Sequence, residues 1–165
     1  MRAQEFIVEF GDKPFPMKKR WSYDGYDQFQ KTAVLPNNNH LDITINLFGS
    51  FALVNFYVNG SQQLTNTGGS VEIFSTVLAQ MQDFVRKKKP QIVAFTGNYD
   101  DPSRIRLYDR IAQRLETLPA FRGYKNITNR EDLWPEHLQY GMDDIQDISG
   151  QKTYVIASPQ YLRSL

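Results

Sequence analysis

Two apolar strand-like runs separated by one long amphipathic stretch constrain this chain more than any other feature. Phe51 to Val58, "FALVNFYV", is nearly continuous in aromatic and β-branched residues, and Gln91 to Thr96, "QIVAFT", is its counterpart. Such runs suit strands covered on both faces. Between them Ile73, Phe74, Val77, Leu78, Met81, Phe84 and Val85 recur at helical spacing as one broad stripe. Ser70 can cap the start of that helix. Arg86 to Lys89 crowd its end, where positive charge suits the macrodipole, and Pro90 stops it. Strand, helix and strand in this order predict a right-handed crossover with parallel strands.

The flanks extend the pattern. Leu41, Ile43, Ile45 and Leu47 alternate with His40, Asp42, Thr44 and Asn46, and Gly49-Ser50 is a tight turn signal, so this run and Phe51 to Val58 read as a hairpin. Glu5 to Phe10 and Gln28 to Leu35 read as earlier strands. After "QIVAFT", Asp101 caps a helix opened by Pro102. Ile105, Tyr108, Ile111, Ala112 and Leu115 line its inner face, which leaves Arg104, Arg106, Arg110 and Arg114 mostly outside. Phe121 to Thr128 reads as extended, Asp143 to Asp147 as an acidic loop, and Lys152 to Ala157 as a last strand. The expected fold is a mixed α/β sheet. Antiparallel N-terminal strands lead into β-α-β-α with parallel central strands, and C-terminal strands close it. At 165 residues the chain forms one domain, with residues 1–40 as an N-terminal extension and first strands and 41–157 as the core.

Composition narrows the chemistry. There is no cysteine, which removes disulfides, thiolate metal sites and a cysteine nucleophile, and only two histidines, His40 and His137, argue against a histidine-rich metal centre. A formal net charge of +1 does not favour nucleic acid as a partner. No apolar run has the ~18 residues of a membrane span, and the N-terminus lacks a signal-peptide core. The cytoplasm is the expected location.

The order of elements, with a glycine turn "TNTGGS" before the long helix and "DPSRIRLYDRI" in the next, resembles the GCN5-related N-acetyltransferase (GNAT) fold over roughly Leu41 to Ala157. That resemblance implies acetyl-CoA as acyl donor and an amine as acceptor. The family's Q/R-x-x-G-x-G/A turn maps best with Gly68 at its first glycine and Ser70 at its last small position, and Thr65 stands where Gln or Arg is usual. Backbone amides of Thr67, Gly68, Gly69 and Ser70 would then hold the pyrophosphate at the helix start. The free edge of the strand ending at Val58 would pair with the pantetheine arm, and Tyr108, in a Leu107-Tyr108 pair, would protonate the departing thiolate. Asp101 and Arg104 stand where Asn and Ala are usual, and Gly123-Tyr124 follows Tyr108 at more than the usual distance. "MRAQEF" and "FSTVLAQMQDFV" also resemble small proteins of tailed bacteriophages, which implies, as an alternative, a non-catalytic virion-associated or protein-binding module on the same fold.

Read residue by residue, each candidate has a plainer role. Gly68-Gly69-Ser70 also makes an ordinary helix entry, and Tyr108 an ordinary core tyrosine. The strand Phe51 to Val58 offers Asn55 but no carboxylate as general base. His40 and Asp42 share one face of the preceding strand and are substitutes, or simply polar residues on a half-exposed strand. The arginines from Arg104 to Arg114 suit an acidic partner, the CoA 3′-phosphate, or a solvated helix face. Lys18-Lys19-Arg20 with Trp21, Tyr23 and Tyr26 mixes cations and rings as single-strand binders do. Asp143, Asp144 and Asp147 lack the spacing of a calcium loop.

Overall fold

The computed structural model describes residues 18–23, 26–34, 38–59, 70–139 and 150–165. The expected strand at Glu5 to Phe10, the turn residues Thr67, Gly68 and Gly69, and the acidic loop at Asp143 to Asp147 lie outside them.

Four strands open the sheet: β1 (Lys18–Tyr23), β2 (Tyr26–Val34), β3 (His40–Phe48) and β4 (Phe51–Val58). Each pairs antiparallel with the next. Helix α1 (Ser70–Lys88) crosses to β5 (Ile92–Asn98), which lies parallel to β4. Helix α2 (Pro102–Leu115) follows, then two 3-10 turns, the short β6 (Lys125–Asn126), α3 (Glu136–Gln139), β7 (Gln151–Ala157) and α4 (Pro159–Arg163). The strand order β1-β2-β3-β4-β5-β7-β6 makes one seven-stranded sheet among the described residues. This is the mixed α/β arrangement that the sequence implies, with antiparallel N-terminal strands, a parallel central pair and closing C-terminal strands. The basic-aromatic run at Lys18 is itself a strand, whereas Phe121 to Thr128 is mostly turn, with only Lys125 and Asn126 extended.

Turn chemistry fixes the register. Gly49 takes φ 59 at the first central position of the two-residue β3–β4 loop, where a side chain would be strained. At the other end of the hairpin Asn59 takes φ 52 and its amide donates to the His40 carbonyl at 2.7 Å. The Asn59 side chain then accepts from the His40 amide at 2.8 Å, closing the hairpin like a clasp.

The sheet separates two cores. On one face Leu41, Ile43, Ile45, Val54, Phe56, Phe95 and Ile156 meet Ile73, Val77, Met81 and Phe84 of α1 and Leu107, Ile111 and Leu115 of α2. On the other, Leu53, Ile92, Ala94, Val155 and Ala157 meet Trp134, Leu138 and Tyr161. Two hydrogen bonds fix that smaller layer: Trp134 Nε1 donates to Ile127 O at 2.8 Å and the Tyr161 hydroxyl to Leu133 O at 2.6 Å. The buried arc of α1 is wider than its apolar stripe, because Thr76, Gln80 and Asp83 are buried as well. Gln80, 1% exposed, has no hydrogen-bond partner for either amide atom among the described residues.

Alternation on β3 gives a direct test. Ile45→Ala empties a fully buried position and is expected to cost about 2–5 kcal/mol. Thr44→Ala, on the half-buried polar face, should stay within about 0.5 kcal/mol of the parent. Urea denaturation of the two variants checks this, and equal losses would contradict the register.

Candidate functional site

The central strands part company early. β4 and β5 pair only from Phe51–Ile92 to Val54–Phe95, yet β4 continues to Val58 and β5 to Asn98. The antiparallel register with β3, in which Asn59 bonds His40, turns the backbone groups of Asn55 and Tyr57 toward β3. Those of Phe56 and Val58 therefore face the β5 side, where among the described residues no strand meets them. Val58 lies at the edge of this parting in the sheet, with its own side chain buried in the core.

Helix α2 fills the space beside this parting. Its start is built as expected: the Asp101 side chain accepts from the Arg104 amide at 3.2 Å, and Pro102 sits in the first turn. The expectation that Arg104 lies outside is wrong. It is 2% exposed and its guanidinium crosses to β4, donating to Phe56 O at 2.7 Å and to the Tyr108 hydroxyl at 2.8 Å. The same group lies 4.3 Å from the Phe56 ring centre and 5.0 Å from that of Tyr108. A buried cation is costly unless hydrogen bonds and ring faces replace its water, and here a carbonyl, a hydroxyl and two rings do so.

Tyr108 is 1% exposed, at the centre of an aromatic cluster. Its ring centre is 5.1 Å from Phe56, 5.0 Å from Phe95 and 5.7 Å from Tyr154. Phe95 and Tyr154 stack at 4.9 Å. Gly97 permits this seat, since a Cβ there would stand 2.9 Å from Tyr108 Cδ2. Burial pushes the Tyr108 pKa above the ordinary tyrosine value, and the Arg104 charge only partly opposes it. The hydroxyl thus keeps its proton at neutral pH.

Beyond the cluster, Asp109 accepts from the Tyr154 hydroxyl at 2.6 Å and from Lys152 Nζ at 2.9 Å. Burial works against the Asp109 carboxylate, but these two bonds hold its pKa below the usual range. Burial and the bond to Asp109 drive the Tyr154 pKa upward.

The remaining sequence candidates are scattered. Helix α1 begins at Ser70, so of the proposed phosphate turn only the helix start is in view. His40 is exposed at the head of β3, and Asp42 accepts a hydrogen bond from Thr32 Oγ1. Asn55, 7% exposed, lies on the opposite face of β4 from Phe56. Tyr124 of the Gly123-Tyr124 pair bonds Pro90 O at 2.6 Å, at the start of β5 and therefore far from Tyr108. Arg110 lies over the Phe74 ring at 4.7 Å and ties α2 to α1. Among the described residues no group of three or more His, Asp or Glu is gathered to hold a metal, and no helix is long and apolar enough to cross a membrane.

No protein-family model matches the chain, and no curated protein matches it. Among solved structures it is similar to a protein of Sphaerobacter thermophilus described as a "putative acetyltransferase", at 10% identity and TM-score 0.38, covering 97% of this chain and 90% of that one. So distant a likeness says nothing of chemistry.

The buried tyrosines predict an alkaline instability. The unfolded chain releases both protons near the ordinary value of about 10, the folded chain only above it. Between those values the unfolded state binds fewer protons, so stability is complete below about pH 10 and falls as pH rises from there. Tyr108→Phe should flatten this alkaline limb in urea midpoints measured across that range. An unchanged slope would show that Tyr108 titrates freely in the folded state.

Proposed function

We propose that the chain is an acyl-CoA-dependent N-acyltransferase, working in the cytoplasm on an amine acceptor. The observation that supports this reading best is the parting of β4 and β5, with the main chain of Phe56 and Val58 turned toward it. A pantetheine arm carries amide N–H and C=O groups that extend a strand edge, and such edges bind extended amides through main-chain hydrogen bonds. Phe56 O already accepts from a planar N–H donor, the Arg104 guanidinium, at 2.7 Å. Bound acetyl-CoA would supply an activated acyl group.

The roles of the residues follow. The amides of Thr67, Gly68, Gly69 and Ser70 hold the pyrophosphate at the start of α1. Phe56 and Val58 align the arm. Tyr108, neutral at physiological pH, donates a proton to the departing thiolate. For this the Arg104 side chain must leave Phe56 O and uncover the hydroxyl. Arg104 is then a plug that binding displaces, and the apparent affinity is lowered by the fraction of time the gap is closed.

A second reading keeps the fold without the chemistry: a non-catalytic module, of the kind a phage encodes as a virion or protein-binding component. Arg104 itself favours it, since it already occupies the Phe56 carbonyl of that edge, and β4 carries Asn55 where a carboxylate base would be useful.

Titration calorimetry with acetyl-CoA separates the two. The first reading expects binding to the parent chain and tighter binding, by roughly tenfold, to Arg104→Ala, which removes the plug. Absence of heat from both proteins at millimolar acetyl-CoA and CoA would eliminate the acyltransferase and leave the module.

A further inference from the structure

At the opposite end of the sheet lies a cleft that the acyltransferase reading does not use. We propose that it binds a small amphiphilic organic anion, with an apolar body and one carboxylate or phosphate group. Its volume is about 460 Å3, within the range of small-molecule pockets. It opens where α1 ends, β5 begins and β7 gives way to α4. Val85, Pro119, Ala120 and Pro159 form the apolar floor, and Arg86, Lys89 and Arg163 stand around it.

Three features point to an anion. No carboxylate is among the residues lining the cleft. Arg86, Lys89 and Arg163 have no ion-pair partner among the described residues, whereas neighbouring Lys87 is paired with Asp83 at 2.9 Å. The C-terminus of α1 offsets only about half a unit of charge, so three cations exceed what the helix end requires. Lys89, moreover, takes φ 47, a left-handed conformation that favours glycine at a helix end. A lysine there carries a backbone cost of about 1 kcal/mol or more that glycine would avoid. What it adds is an ammonium beside the cleft.

The walls are built in advance of any ligand. Gly123 takes φ 82, and a Cβ there would meet Pro159 Cγ at 2.7 Å, so the turn after α2 sits hard against α4. The Tyr124 hydroxyl is held by Pro90 O at 2.6 Å, and the Ser158 amide donates to Gln91 O at 2.8 Å. With its hydroxyl engaged, Tyr124 presents its ring to the cleft. An apolar body would rest on prolines and this ring, while its anionic group accepts charge-assisted hydrogen bonds from Lys89 and Arg163.

Phenyl phosphate is the probe, followed by amide chemical-shift mapping of the whole chain, with inorganic phosphate and benzyl alcohol as single-feature controls. The expected result is shifts centred on residues 85–89, 119–124 and 158–163. Binding should weaken on adding salt and fall about tenfold in Arg163→Ala, the loss of one charge-assisted contact. Lys89→Gly should weaken binding similarly while leaving thermal stability equal or higher, since it relieves the backbone. Shifts elsewhere or none, affinity unchanged in both variants, or inorganic phosphate binding as tightly as phenyl phosphate would each overturn the proposal. Acetyl-CoA added to the phenyl phosphate complex should leave these shifts in place, which separates this cleft from the parting at β4.

Discussion

Four residue pairs of parallel ladder hold this protein together as one sheet. β1 to β4 form an antiparallel half, β5, β7 and β6 form another, and the only strand pairing between the halves among the described residues runs from Phe51–Ile92 to Val54–Phe95. Past that point the halves diverge, and the fold must deal with backbone groups of Phe56 and Val58 that have no ladder. Buried main-chain groups left without partners cost about as much as a lost hydrogen bond each. The answer here comes from α2, which lays Tyr108 across Phe56 and Phe95 and sends Arg104 to the Phe56 carbonyl. The aromatic excess of the sequence thus has a location: four rings, two from the strands of the parting and one each from α2 and β7, fasten the halves where hydrogen bonds stop.

Much of this was legible in the residues. β4 needed only its nearly continuous apolar run, α2 only Asp101-Pro102, and the β3–β4 hairpin only alternation around Gly49, because each is decided by local chemistry. Arg104 was misread because charge was allowed to outrank spacing. Arg104, Tyr108, Ile111 and Leu115 follow one another at four, three and four residues, which puts the arginine on the inward face. The wheel held that signal; what it could not hold was the reason an arginine is tolerable there, a carbonyl on β4 that is 48 residues away in sequence. Thr76 and Gln80 are not part of the apolar stripe, yet they are buried because they border Ile73 and Phe84 on the wheel. The stretch from Phe121 to Thr128 is not extended as expected, because its buried residues Phe121, Tyr124 and Ile127 recur every three residues, and a half-buried strand needs every two. Its course is fixed by Gly123 against Pro159 and by the bond from Tyr124 to Pro90, both long-range contacts.

The choice of arginine at position 104 is itself informative. A lysine could reach a carbonyl, but it is a compact, strongly hydrated charge that loses its proton readily when buried. The planar guanidinium can lie against the rings of Phe56 and Tyr108 while its edge makes hydrogen bonds. Its charge lowers the Tyr108 pKa and so opposes burial, which alone would make the phenol a poorer proton donor. An arginine at this place therefore ties α2 to the Phe56 carbonyl of the strand edge, and while it stays there it keeps the hydroxyl beside it closer to the ordinary tyrosine acidity.

Helix α1 spans the distance between the parting and the cationic cleft. Its 19 residues put its ends roughly 28 Å apart. That is several times the screening length at physiological salt, so charge bound at one end has almost no direct effect at the other. Coupling would instead need α1 to move as a rod between two packings. The contacts along it oppose that: Ile73, Val77, Met81 and Phe84 are locked into the sheet, Arg110 covers Phe74, and Phe84 meets Phe29 edge-on at 5.4 Å. A helix fixed over its whole length transmits position without changing it. It sets the geometry of both ends and keeps them independent of one another.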